Sequence, residues 1–240
     1  MGDGIYCALS GAIAQATALD VTATNLANIG TNGYHNETPV FREVLRQAGE
    51  DNTLRFTTLQ TTAITKNTGE NRSTGRGMDA ALPENLYFAV KTDAGERYTR
   101  AGSLAVKADG TVTTKDGHPL LADNDAVLKV PPGSDPQLTA DGEIRTADAS
   151  VGRLKMVTFP EPAWLVHEGT TLLAATPDSG AATPTTGHLS VGEVEESNGT
   201  AVTAMSQMIS ATRMFEAFQR AIETFHEADR RVATTTPGVT

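Results

Sequence analysis

Apolar residues recur at alternating spacings of four and three along the start of the chain: Ile5, Leu9, Ala12, Ala16, Leu19, Ala23 and Leu26. This heptad seam predicts one helix with one apolar face, ended at Asn28 by the turn-forming Gly30, Thr31, Asn32 and Gly33. The outer positions Ser10, Ala14, Thr17, Ala18, Val21 and Thr24 are small and uncharged, and no Lys or Arg precedes Arg42. A lone solvated helix carries charge on that side, so this one is read as having neighbours on more than one side.

The other end of the chain repeats the pattern. After the capping candidates Glu196 to Thr200, a second seam runs through Ala201, Ala204, Met208, Ala211, Phe215, Phe218, Ile222, Phe225 and Val232, broken at Asp229. Arg213, Glu216, Arg220, Glu223, Glu227 and Arg230 recur opposite it, and Glu216 with Arg220 and Glu227 with Arg231 are spaced for i,i+4 ion pairs. The helix spans roughly 30 residues, or about 45 Å at 1.5 Å per residue, and Pro237 closes it. Two heptad helices at opposite ends of one chain are most simply paired with each other as a coiled coil. Ala at three of the seven N-terminal seam positions forgoes side-chain burial worth about 2 kcal/mol or more each. The pair is therefore marginal alone and favours burial among copies of itself.

Between the helices the period changes. Residues 35–77 are rich in Thr, Asn, Gly and Arg and read as an extended or irregular linker with a few short strands, carrying apolar residues at Val40, Phe41, Val44, Leu45, Leu54, Phe56, Leu59 and Ile64. From 78 to 194, strands are expected at 86–90, 103–106, 127–130, 152–159 and 172–174. Turns at Asp93-Ala94-Gly95, Asp109-Gly110, Asp116-Gly117 and Asp141-Gly142 separate them. The reading is an α+β chain with N- and C-terminal heptad helices and a central, mostly antiparallel β domain. Its parts are 1–34 (helix and joint), 35–77 (linker), 78–194 (β domain) and 195–240 (helix and tail).

A net charge of −10 over 240 residues opposes binding to nucleic acid or anionic lipid. The single cysteine, Cys7, rules out an intramolecular disulfide and reads as a small hydrophobe. No stretch looks long enough to span a membrane, and the apolar start lacks the positive leading region of a cleaved signal. Phosphate-loop, zinc-protease, nucleophile-elbow and paired-cysteine motifs are all missing, and the five histidines show no ligand spacing. No catalytic residue, metal site or cofactor is expected.

Asn25-Leu26-Ala27-Asn28 followed by Thr31-Asn32-Gly33-Tyr34 resembles the motif that follows the N-terminal helix in the bacterial flagellar rod and hook protein family. Ile5-Tyr6, Thr74-Gly75-Arg76, Met78-Asp79, the stretch Arg97 to Gly102, Asp109-Gly110 and Asp116 to Leu120 are similar to the family's β-domain pattern. Gly192, Glu195, Ser197-Asn198, Met208-Ile209, Arg213, Phe215 and Glu216 are similar to its C-terminal pattern. The chain departs from the family where Pro83 to Phe88 stands for a G-D-G-F-F-like turn, and where His35 stands for a basic residue. The resemblance implies a non-enzymatic rod subunit, exported by the flagellar apparatus without a cleaved signal peptide to the periplasm-spanning rod. Its implied partners are other rod and hook subunits, with no nucleic acid and no membrane insertion. The expected assembly residues are Ile5, Leu9, Leu19, Asn25, Leu26, Asn28, Gly33, Tyr34, Met208, Phe215, Phe218, Ile222 and Phe225. A distal rod or hook subunit, and a periplasmic carbohydrate- or ligand-binding module, are the alternatives.

Overall fold

A computed structural model describes residues 2–47, 53–131, 133–147 and 149–235. The chain divides into two units, the first made of 1–26, 37–62 and 201–240 and the second of 27–36 and 63–200.

The first unit holds helix α1 (Gly2–Ala27), strands β1 (Glu37–Gln47) and β2 (Thr53–Ile64), and helix α2 (Ala201–Thr235). Both terminal helices form where the heptads predicted them. The face that α1 turns to α2 is, however, shifted by one residue from the predicted seam. A methyl group at Gly4 would lie 2.9 Å from the Phe225 ring, and one at Gly11 would lie 2.5 Å from the Phe218 ring. Two glycines seven residues apart thus form notches for two phenylalanines seven residues apart. Ala8 and Ala12 are buried on the same stretch of α1, whereas Leu9 of the predicted seam is 45% exposed. Small residues win this face because only they admit a ring so close to the helix backbone. Further along, where alanine faces alanine, the helices and the start of β1 leave a groove of about 320 Å³ lined by Ala18, Val21, Asn25, Ser206, Ala211 and Met214.

The sequence reading of 35–77 is corrected: β1 and β2, of 11 and 12 residues, pair as a two-stranded sheet. Their Thr-rich, weakly alternating sequence hides strands that have no strongly apolar face. The side chains of Val44, Leu45, Leu54, Phe56, Leu59 and Val232, and all of Pro237, lie outside the described residues. Of the expected helix pairs, Glu227 and Arg231 meet at 3.6 Å, while Arg220 Nε donates instead to the Glu216 carbonyl.

In the second unit the main sheet is built from β4 (Tyr87–Thr92), β5 (Gly95–Thr99), β6 (Met156–Thr158), β7 (Val166–Glu168), β8 (Leu172–Ala174) and β9 (Thr183–Thr185), after a short β3 (Asn71–Ser73). Its order is β7-β8-β5-β4-β6-β9, antiparallel at each pairing. Phe88 and Val90 enter one apolar cluster with Leu104, Leu120, Ile144 and Leu154. Tyr87 and Ala89 enter another with Val157, Phe159, Leu165 and Leu173. Both faces of β4 are therefore covered, which explains its unbroken apolar run. The glycines of all four predicted turns have positive φ. Residues 127–130 join their neighbours by isolated bridges, not as a strand, and 152–159 divides around Leu154-Lys155.

Replacing Gly11 with Val fills the Phe218 notch and is expected to destabilise the helix pair by about 1–3 kcal/mol. Thermal unfolding followed by far-UV circular dichroism reads the loss, and adding Phe218→Leu recovers part of it.

Candidate assembly site

The stretch after α1 and the stretch before α2 meet within the second unit on a buried charge cluster. Strand β10 (Glu193–Glu195) pairs with β3 and ends at Glu195, whose side chain is 1% exposed. The Oε1 atom accepts from His35 Nε2 at 2.8 Å and from the Gly69 N–H at 3.0 Å. The Oε2 atom accepts from Arg100 Nε at 2.7 Å and lies 2.6 Å from its Nη2. Arg100 stands just after β5 and is equally buried. Its remaining N–H groups donate to the Leu82, Pro83 and Leu86 carbonyls, and its guanidinium lies 5.6 Å from the centre of the Tyr87 ring.

Two of those carbonyls, of Pro83 and Leu86, belong to the turn at which the chain departs from the family pattern. Asn85 takes the left-handed conformation there, with φ 60, a geometry that Asn tolerates better than other side chains. The turn is thus intact without its glycine and braced by Arg100. His35 Nδ1 donates to the Thr65 carbonyl at 3.0 Å.

The helix-end motif explains itself in the same region. Gly33 has φ 70 and donates to the Glu195 carbonyl at 2.8 Å; a methyl group there would meet the Arg100 backbone at 2.5 Å. Tyr34 is 1% exposed and stacks on His167 with ring centres 4.8 Å apart. His167 Nε2 donates to the His35 carbonyl at 2.9 Å, which leaves its buried Nδ1 without a hydrogen bond. Asn198, predicted as part of a helix cap, is instead a clamp: its Oδ1 accepts from the Asn36 N–H, and its amide donates to the Asn67 carbonyl. Asn28 accepts from Thr31 through both its carbonyl and its side chain. In the first unit, Asn25 exchanges two hydrogen bonds with the Glu37 backbone, at 2.8 and 2.9 Å.

The expected assembly residues therefore fall into groups. Gly33 and Tyr34 belong to the charge cluster's surroundings, with Asn28 close in sequence, and Asn25 ties α1 to β1. Phe218 and Phe225 fill the glycine notches, although Phe225 keeps 38% exposure. Met208, Phe215 and Ile222 are half-buried along α2, and Ile5, Leu19 and Leu26 along α1. Sequence reading missed Arg100 as a buried centre, because neither Arg100 nor Glu195 sits in an apolar pattern. The signal that could have found them was the pair of matching charges inside two family-like motifs.

Contrary to the sequence expectation, Gly4–Ala27 is long and apolar enough to cross a membrane by length and composition, with 17% of the apolar window buried. Alanines raise its apolar average without the large side chains that catch the eye. The hydroxyls of Ser10, Thr17, Thr22 and Thr24 donate to carbonyls three or four residues back in α1. Those positions thus present little polarity outward. Cys7, expected to be a packed hydrophobe, is exposed.

Three family profiles match the chain: flagella basal body rod protein over 5–35, flagellar hook protein FlgE/F/G D1 domain over 84–151, and flagellar basal body rod FlgEFG protein C-terminal over 190–235. The chain is 33% identical over 231 residues to the flagellar basal-body rod protein FlgF of Escherichia coli, covering 90% of this chain and 91% of that one. It is 30% identical to FlgF of Mesorhizobium japonicum over 90% of each chain, and 29% identical to FlgG of Bacillus subtilis over 93% of this chain and 95% of that one. The chain belongs to the flagellar basal-body rod protein family. It is a structural subunit, not an enzyme. His35, Arg100 and Glu195 come one from each of the three matched segments, so the buried cluster joins all the parts by which this rod protein is recognised.

Burial would raise the Glu195 carboxyl, but the His35 hydrogen bond and the Arg100 charge outweigh it and hold the group below its ordinary 4.5. Burial pushes His167 below its ordinary 6.5, despite the hydrogen bond to the His35 carbonyl, and lifts the Tyr87 hydroxyl to about 12. Both lowered groups contribute stability that is complete above their ordinary values and is lost as the pH falls towards the folded ones. The melting temperature of the second unit is expected to fall as pH drops below 6.5 and again below 4.5. Glu195→Gln leaves Arg100 buried without a counter-charge, so it is expected to cost about 3–5 kcal/mol and to shrink the second fall. A pH series of calorimetric scans checks both.

Proposed function

We propose that this chain is a FlgF-like subunit of the rod. The observation that carries this is the similarity to FlgF proteins along nine-tenths of both chains, at 33% and 30% identity. FlgG-like and hook-like roles are the neighbouring readings within the family.

In this reading α1 and α2 pair as a coiled coil of marginal stability and serve, with the joint to residue 34, as the assembly domain. The β1–β2 ribbon belongs to the same unit as the two helices, and the β domain is the second unit. The glycine notches, with Ile5, Leu9, Leu19, Leu26, Met208, Phe215, Ile222 and Phe225, supply the helical interface. Asn25, Asn28, Gly33 and Tyr34 form the joint that follows α1. The flagellar export apparatus delivers the subunit unfolded and without removal of a signal peptide, and it polymerises with its own copies and with other rod and hook subunits. Large uncovered side chains on α1 and α2 support this, since a finished monomer has no reason to display them.

The test is electron microscopy of basal bodies from a strain lacking the gene, together with immunoblotting of basal bodies from the parent. The expected result is the subunit in parental basal bodies and structures that stop part-way along the rod in the deletion strain. Complete rods in the deletion strain, with the chain absent from parental basal bodies, overturn the reading.

A further inference from the structure

The helix pair carries two uncovered apolar stripes. On α1, Tyr6, Leu9 and Ile13 are 60%, 45% and 59% exposed; on α2, Val202, Met205 and Ile209 are 80%, 53% and 56% exposed. At about 100° per residue the α1 stripe lies roughly 180° from Gly4 and Gly11, and the α2 stripe lies well round the helix from the buried Ala204 and Ala211. The stripes therefore look outward from opposite sides of the pair.

They are also displaced along it. The notch contacts set Gly4 beside Phe225 and Gly11 beside Phe218, so continuing that register places the α2 stripe about 14 residues, or about 21 Å, along α1 from the other stripe. Beyond Ile209 the outer face of α2 turns charged, with Arg213, Glu216, Arg220 and Glu223 exposed. The α2 stripe is thus a bounded patch.

We infer that the Tyr6-Leu9-Ile13 stripe of one copy packs against the Val202-Met205-Ile209 stripe of the next, in a head-to-tail contact stepped by about 21 Å along the helix axis. The inference rests on the rod-subunit reading, and it adds which surfaces meet. An isologous contact would set a stripe against its own copy and leave the other uncovered. The head-to-tail contact covers both with one interface and does not close on itself. The two copies' helices then run antiparallel at the contact, so Leu9 meets Met205 at the centre, Tyr6 lies near Ile209 and Ile13 near Val202.

Six partly exposed side chains bury on the order of 600 Å² in total, far below the roughly 1,600 Å² of a stable pairwise interface. Free chains accordingly stay apart, and the contact holds only where repeated in an array. A membrane-spanning α1 is the poorer alternative, because surrounding the whole helix with lipid would empty the two phenylalanine notches.

Full-length chain carrying Cys7→Ser, Leu9→Cys and Met205→Cys is expressed in place of the native chain, and isolated basal bodies are oxidised. A ladder of linked chains from the double variant, and no linked species from Leu9→Cys or Met205→Cys alone, is the expected result. Ile13→Cys with Val202→Cys provides an independent pair if the first is not incorporated. Dimers from Leu9→Cys alone, or no links in basal bodies that contain the chain, overturn the inference and leave the rod reading standing. Absence of the Cys7→Ser parent from basal bodies removes both. Flotation of native chain with phosphatidylcholine vesicles, lost on Leu9→Asp, also overturns the inference by assigning the α1 stripe to lipid.

Discussion

A carboxylate that is 1% exposed can stay ionised only if the protein replaces the water it has lost. For Glu195 that replacement is a set of donors from three distant parts of the chain: His35, the Gly69 backbone and Arg100. Arg100 in turn is accommodated by three turn carbonyls. Removing a member strands a buried charge, at a cost several times that of an ordinary contact. The cluster is consequently all or nothing, and it makes residues 27–36, the 83–86 turn and the strand before α2 one cooperative object.

The helix pair obeys a different economy. Its inner face achieves close approach with glycine and alanine where large residues would give bulk, so two phenylalanines reach nearly to the backbone of α1. Its outer face keeps large apolar side chains, while the nearby hydroxyls are turned back onto their own helix. Such a surface suits a protein neighbour better than water. The buried cluster holds the two connecting stretches together, and the helices present what remains to be covered, which is the division of labour a structural subunit needs.

Much of this was legible in the residues. Heptads placed both terminal helices, and Asp-Gly pairs placed the turns, because helical period and positive φ are local properties. The packing face of α1 was read one residue out, since a seam is sought among large apolar residues, whereas notches are made by the small ones beside them. The β1–β2 ribbon escaped because a strand without a strongly apolar face has little period to show. Arg100 and Glu195 escaped because nothing local distinguishes a buried charge from a solvated one; only partners 95 and 160 positions away do so.

The central claim is that the Glu195 cluster forms and breaks with the whole second unit. Native-state hydrogen exchange tests it most directly, at the amides of Gly33 and Gly69, which donate to the Glu195 carbonyl and carboxylate. The account predicts protection equal to that of Ala89 in the central strand, with exchange only on global unfolding. Exchange of Gly33 and Gly69 at the rate of open loops, while Ala89 stays protected, would contradict it.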